Sequence, residues 1–362
     1  MKRLLVLFVM VVMVATFALA SGSSESQEAA ASGEVEDPVE LALELADRAT
    51  RGANANYQGT SDETVAVVMP QLDNEGFRAM YIGSLSAGIE QNASVVTLDA
   101  RNDVDTQLAM IEDMITQQVD AIVFVPVDSA AMSTGVVRAN DAGIPIVAMD
   151  RSTQGGELTA LVESNNVAIG RGGADLMVQA AENLDVPVEE LRVLELLGDM
   201  ATSAAVERHE GFSEAAGEYG ITIVQEGATN WDPAQANAAV LDAFQANPDI
   251  NAIYMASGCA MYTGVRSALE TIGRLHTRNE EGHVILISSD GCPAPMDGIR
   301  EGYVDGDSAH QMLRIGRTAV DVAIDAAQGN PPSQEVFRMD PDLITPENVE
   351  SLDHWANNLS VE

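Results

Sequence analysis

The stretch Gly143 to Thr153, GIPIVAMDRST, runs through an apolar segment and stops in an adjacent acid and base, Asp150 and Arg151. Such a pair offers a carboxylate that only accepts hydrogen bonds and a planar guanidinium that only donates them. A chain with 18 Lys and Arg against 56 Asp and Glu does not place an arginine at the end of a strand by default. Polar residues close other apolar runs in the same way. Asp73 and Asn74 follow TVAVVMP, Asp99 and Asn102 follow SVVTLDA, and Asp128 follows DAIVFVP. Further on, Trp231 and Asp232 follow ITIVQEG, Ser257 and Cys259 follow INAIYMAS, and Asp290 closes VILISSDG. Asp, Asn and Ser at such places are also favoured helix N-caps, and that reading suffices for Asp99, Asn102 and Asp128. It leaves Arg151 unexplained.

Residues for bond-making chemistry do not assemble. There is no H-E-x-x-H pattern, and SLSAG around Ser86 lacks the first glycine of a nucleophile elbow and has helical spacing. Gly170, Gly172 and Gly173 in AIGRGGADL match neither a dinucleotide fingerprint nor a P-loop, and read as close helix packing. In so acidic a chain, neighbouring Asp and Glu carry no information about acid–base catalysis. His209, His276, His283 and His354 have no partner motif and are expected at the surface. Neither an enzyme activity nor a cofactor is expected.

The elements that must position these residues alternate. From residue 64, short continuous apolar strands trade places with segments of helical spacing, GFRAMYIGSLSAGIEQN and DVDTQLAMIEDMITQQ among them. The rhythm resumes after residue 170. Continuous apolar strands separated by helices predict parallel sheets covered on both faces. The 362 residues exceed the roughly 250–300 at which one core stops growing, so two such units are expected. In these folds ligands sit beyond the carboxyl ends of the strands, which is where Asp150 and Arg151 lie.

The start of the chain reads as export. Lys2 and Arg3, an apolar run from Leu4 to Phe17 and the small-residue site Ala18-Leu19-Ala20 predict a cleaved signal peptide over 1–20. No cysteine follows it for lipid anchoring, and no later run reaches the ~18 apolar residues of a membrane span. Residues 21–62 read as an acidic linker, with helical periodicity from Asp37 that suits either a docked extra helix or an exposed tether. The formal charge of −38 excludes nucleic acid and anionic lipid as partners. Lys2 is the one lysine, so the mature chain relies on arginine and carries about two more negative charges. That composition predicts adaptation to high salt, where self-repulsion is screened.

Six segments taken in order, VAVVMPQLDNEGF, RNDVDTQLAMIEDMITQQVDAIVFVPVDSAA, AGIPIVAMDRST, VESNNVAIGRGGA, TSAAVERHEGF and SDGCPAPMDGIREG, resemble the ribose- and galactose-type sugar-binding proteins of bacterial ABC importers, over residues 64 to about 350. These share their fold with lactose-repressor-like ligand domains. The resemblance implies a type I periplasmic binding protein: α/β, two Rossmann-like lobes joined by a three-strand hinge. The lobes would be 64–164 with 311–340, and 165–310 with 341–362. By position it implies ligand contacts from Asn74, Phe77, Asp150 and Arg151 on the first lobe. Asn166 would lie at the crossing, Arg208, Trp231, Ser257 and Asp290 on the second lobe, and His310 at the hinge. A sugar suits them, because its hydroxyls donate and accept while its C–H faces stack on aromatic rings. Removing Asp150 or Arg208 is then expected to abolish binding and spare the fold.

The pocket departs from the family at Pro70, at Gly76 where an aromatic is common, in MASGCAMYTG, which lacks the usual Asn-Asp pair, and at His310 in place of an amide. Cys259 and Cys292 can pair in an oxidising compartment, serve as two buried apolar residues, or join His310 around a metal. The expected protein is a periplasmic or extracellular monomer that captures a monosaccharide or polyol and delivers it to an ABC permease. The alternatives are a nucleoside or signalling-furanone ligand on the same fold, and a receptor role toward a chemoreceptor or sensor kinase.

Overall fold

A computed structural model of the chain describes residues 37–350 and 354–357. The expected signal peptide and residues 21–36 of the acidic linker lie outside these residues. The chain runs through α1 (Pro38–Thr50), β1 (Thr64–Met69), α2 (Glu75–Glu90), β2 (Ser94–Asp99), α3 (Val104–Gln117), β3 (Ala121–Phe124), α4 (Ser133–Ala142), β4 (Ile146–Met149) and β5 (Ala160–Ser164). It continues through α5 (Asn166–Asn183), β6 (Arg192–Leu197), α6 (Ser203–Tyr219), β7 (Thr222–Ala228), α7 (Pro233–Ala246), β8 (Ala252–Met255), α8 (Gly258–Thr271) and β9 (Ile285–Ser289). Last come α9 (Pro293–Glu301), β10 (Gly306–Ala309), α10 (Met312–Ala327), β11 (Val336–Met339) and β12 (Asp342–Ile344).

The strands form two six-stranded sheets, β11-β5-β4-β3-β1-β2 and β12-β10-β9-β8-β6-β7. Every pairing is parallel except the antiparallel edge of β10 with β12. This is the expected two-lobe α/β fold. The central strands are apolar on both faces because helices cover both. Val65 to Met69 and Ala121 to Phe124 are all wholly buried. Each Val, Ile, Met or Phe among them contributes about 1.5–3 kcal/mol relative to exposure.

Strand order reverses between β1 and β3 in the first sheet and between β6 and β8 in the second. Those switch points open the crevices where ligands of doubly wound sheets lie. The chain passes from one sheet to the other three times, at 164–166, 309–312 and 339–342.

The helices approach closely where the sequence supplies glycine. A Cβ on Gly170 would stand 2.0 Å from the Arg208 carbonyl oxygen, and one on Gly173 2.4 Å from the Tyr254 ring. The glycine-rich start of α5 therefore packs, as expected. The α2–α10 contact uses the same device, with Gly83 against the Leu313 carbonyl and Gly316 against that of Met80. Ser86 is buried beside this contact, donating to the Gly83 carbonyl at 2.9 Å and accepting from Arg317 Nη1 at 2.8 Å.

Residues 38–50 form a docked helix. Asp37 caps it by accepting from Val39 N–H at 2.9 Å, and Ala42, Leu43, Leu45 and Ala46 are buried in the cluster that includes α2. Tyr57 then pairs with Val95 and covers part of the edge strand β2. No helix among the described residues is long and apolar enough to cross a membrane.

Candidate functional site

Of the polar residues predicted at strand ends, Asp73, Asn74, Asp150, Arg151, Ser257 and Asp290 converge on one cleft between the lobes, whereas Asp99, Asn102, Asp128 and Asp232 lie outside it. Two adjoining cavities of about 560 and 800 Å³ share Asp150, Arg151, Arg208, Trp231 and His310. Asn74, Phe77, Ser257 and Asp290 line the first, and Asn166 lines the second. All ten expected residues therefore face one space.

Each lobe brings a carboxylate, a guanidinium and an aromatic ring. On the first, Asp150 follows β4 and its Oδ2 accepts from Arg151 Nε at 3.2 Å. The Arg151 guanidinium lies 5.6 Å from the centre of the Phe77 ring. On the second, Asp290 follows β9 and accepts from Arg208 Nη1 at 2.7 Å, while the Arg208 guanidinium lies 5.9 Å from the centre of the Trp231 ring. Cations over aromatic faces are attracted by the ring quadrupole, which fixes both partners. Trp231 fits because Gly198 follows β6; a Cβ there would stand 1.9 Å from the indole.

The backbone holds three of these residues in an uncommon state. Asp150, Trp231 and Asp290 have φ of 65°, 59° and 90°. Non-glycine residues adopt the left-handed region at a cost of order 1–3 kcal/mol, and such residues cluster where side chains are aimed at ligands.

Arg208 is the hub of the second half. It is 5% exposed. Nε donates to Asn166 Oδ1 at 3.0 Å and Nη1 also donates to the Ala256 carbonyl at 2.6 Å. Nη2 meets His310 Nε2, which itself lies 2.9 Å from Asp290 Oδ1. Arginine only donates and the ionised carboxylate only accepts, so His310 Nε2 serves one of them at a time. The other ring nitrogen, Nδ1, pairs with Ser164 Oγ at 3.0 Å on β5 of the first lobe. Burial alone would raise the Asp290 carboxyl; the Arg208 guanidinium, aided by His310 and Ser257, overrides it and holds Asp290 well below the usual carboxylate range. The network thus ties two crossing segments to the second lobe.

Asn74 and Ser257 are helix N-caps as well as cleft residues, accepting from Phe77 N–H at 3.1 Å and Ala260 N–H at 3.3 Å. Cys259 and Cys292 are disulfide-bonded with Cα atoms 5.4 Å apart, joining the starts of α8 and α9 at the cleft rim. Of the histidines expected at the surface, the His354 and His283 side chains are buried, and His209 is only partly exposed. His354 is 2% exposed, His283 lies 2.9 Å from Asp305, and His209 lies 2.9 Å from the buried Glu195. Each histidine meets a partner remote in sequence, which no local pattern announces.

Trp355 is a cleft residue that the sequence reading missed. It is 2% exposed, packs in the first-lobe cluster with Met312 and Cys292, and lines the smaller cavity. Its Nε1–H is buried without a hydrogen-bond partner among the described residues. The next residue back, His354, faces the His310 carbonyl with Nε2 at 3.2 Å. Aromatics make up 4% of the chain, so a tryptophan outside the regular rhythm was itself the signal.

The sequence profile of the periplasmic binding protein domain family matches residues 65–331. The ribose import binding protein RbsB of Bacillus subtilis (strain 168) is 29% identical over 275 residues, covering 76% of this chain and 85% of that protein. The D-allose-binding periplasmic protein of Escherichia coli (strain K12) is 27% identical over 277 residues, covering 72% and 83%. Among solved structures, an ABC transporter solute binding protein from Bacillus halodurans C-125 with bound myo-inositol aligns with TM-score 0.65 at 26% identity, over 83% of this chain and 99% of that one.

Proposed function

The chain belongs to the periplasmic binding protein domain family, and from that membership we propose that it captures a neutral polyhydroxylated ring, a monosaccharide or a cyclic polyol, in the interlobe cleft and delivers it to an ABC importer. The observation that carries this reading is the mirrored trio of Asp150, Arg151 and Phe77 against Asp290, Arg208 and Trp231. A sugar hydroxyl accepts from a guanidinium while donating to a carboxylate, and ring C–H faces rest on aromatic surfaces. The relatives named for ribose and allose and the neighbour holding myo-inositol support the same ligand class.

Charge narrows the class. Asp73, Asp150, Glu163, Glu207 and Asp290 line the cavities and outnumber Arg151 and Arg208, so a phosphorylated or carboxylated ligand is repelled. The ligand-binding set is Asn74, Phe77, Asp150, Arg151, Asn166, Arg208, Trp231, Ser257, Asp290 and His310. We assign the lobes as 64–164 with 311–340 and 165–310 with 341–362, hinged at the three crossings. Ligand bridging both trios stabilises the closed form by its differential affinity for that form. The closed form is what a permease, or a chemoreceptor or sensor kinase, would read. The protein acts outside the cytoplasm after losing residues 1–20, catalyses no reaction, and works as a single chain.

The test is a thermal-shift screen of the mature protein in concentrated salt against pentoses, hexoses, inositols and nucleosides. A ligand specific for the folded state adds about 2.7 kcal/mol at a hundredfold excess over Kd. A shift with a sugar or inositol that Asp150→Ala abolishes is expected. A nucleoside shift with silence from every polyol would overturn the ligand class.

A further inference from the structure

A second cluster of polar groups lies on the second lobe, and none of its members lines the cleft cavities. β6 and β7 pair in parallel with Glu195 beside Glu226, so both side chains leave the sheet on the same face. α6 sets His209 Nδ1 2.9 Å from Glu195 Oε1. One ligand atom from each of the three residues lies within 4.8 Å of the others.

Glu195 is wholly buried, and its second oxygen, Oε2, has no hydrogen-bond partner among the described residues. Its neighbour on the other side is Tyr254 of β8, whose hydroxyl pairs with Ser289. A buried carboxylate with a bare oxygen, next to a second carboxylate, is costly to keep charged.

We propose that Glu195, His209 and Glu226 bind one divalent first-row metal ion of the Zn²⁺ class. The ion would engage the bare carboxylate oxygen, the imidazole and the Glu226 carboxylate, leaving a fourth position for water. An imidazole with carboxylates suits this class, whereas Mg²⁺ and Ca²⁺ favour all-oxygen sets. Glu226 is exposed and the His209 side chain is 26% exposed, so the ion enters from solvent. His209 adjoins Arg208 on α6, so a bound ion clamps to its sheet the helix that carries the central guanidinium of the cleft.

The experiment is calorimetric titration of the chelator-stripped full chain with Zn²⁺ in concentrated KCl, repeated with Co²⁺ for its tetrahedral absorption. One ion per chain is expected, with a rise in Tm and no displacement by Mg²⁺. Loss of a ligand should weaken binding by at least about tenfold in both His209→Ala and Glu226→Gln. Glu226 is at the surface, so its variant tests the site even if a change at Glu195 prevents folding. Absence of a saturable site would overturn the proposal, leaving a buried Glu–His pair. Undiminished binding in both variants would also overturn it, by placing the ion on other carboxylates.

Discussion

Replacing Arg208 with leucine tests the hub of the cleft. The side chains of Arg208 and Asp290 are 6% and 11% exposed, so the substitution leaves a buried carboxylate without its main cation. Removing one member of a buried pair costs about 3–5 kcal/mol. Asp290→Asn costs less, about 1–3 kcal/mol, because the amide oxygen still accepts from Arg208 and the guanidinium keeps Asn166 and the Ala256 carbonyl. The double variant has no stranded charge, so its cost should fall short of the sum by about 1–3 kcal/mol. Urea unfolding in concentrated KCl measures all four corners of the cycle. Its fluorescence readout is local, because the two tryptophans, Trp231 and Trp355, both line the cleft. The deficit of Arg208→Leu should also shrink as pH falls toward 4, since the stranded carboxyl can then take up a proton. A cost for Arg208→Leu within about 1 kcal/mol of zero, or simple additivity, would refute the assigned role of the pair. Arg208 binds the protein to itself as well as offering to bind ligand, so the same cycle tests the expectation that losing it spares the fold.

Trp355→Phe keeps most of the buried ring and removes the unpartnered N–H. Its stability should stay within about 1.5 kcal/mol of wild type, while affinity for the screened ligand falls by about 2- to 12-fold if the indole donates to it, as calorimetry would show. Asp307 is wholly buried on β10, and burial, with the Asp290 charge adding, pushes its carboxyl up to about 7. Its folded value exceeds its unfolded one, so its contribution is complete below about pH 4 and lost as pH rises through 7. Asp307→Asn should lose less Tm than wild type between pH 4 and 8 in a series of melts, by the equivalent of up to about 4 kcal/mol. At a formal charge of −38, dilution into low-salt buffer should unfold the protein, and a circular dichroism spectrum unchanged there would remove the argument for salt adaptation.

What the sequence disclosed follows from where each signal is stored. The central strands among β1–β4 and β6–β9 announce themselves, because strands buried on both faces must be continuous apolar runs, and the edge strands β2 and β7 keep a shorter apolar start. β10 does not: it reads Gly-Asp-Ser-Ala, all four residues are buried, and Asp307 accepts from the Ser288 hydroxyl and the Gly291 N–H. β11 and β12 are short edge strands with weak apolar patterns. Asp150 and Arg151 were legible because their types conflict with their position at the end of an apolar run. Arg208, Asn166 and His310 became legible only by resemblance, since their partners lie 42 to 146 residues away. Trp355 stood out only as a rare aromatic; its place beside the cleft arises from the chain returning to the hinge, which no window of sequence displays.

The left-handed backbone at Asp150 and Asp290 bears on how such a pocket changes its allegiance. In a saturation library, these two positions face a double filter, because the side chain must serve the ligand and the residue must tolerate positive φ. Asp, Asn and Gly pass the second filter most readily, and β-branched residues fail it. Respecialisation toward a new ligand would therefore draw its variety from cleft positions on ordinary backbone, such as Phe77 and Ser257. The aspartates would persist as inherited fixtures, held by the geometry of the turn as firmly as by the molecule they greet.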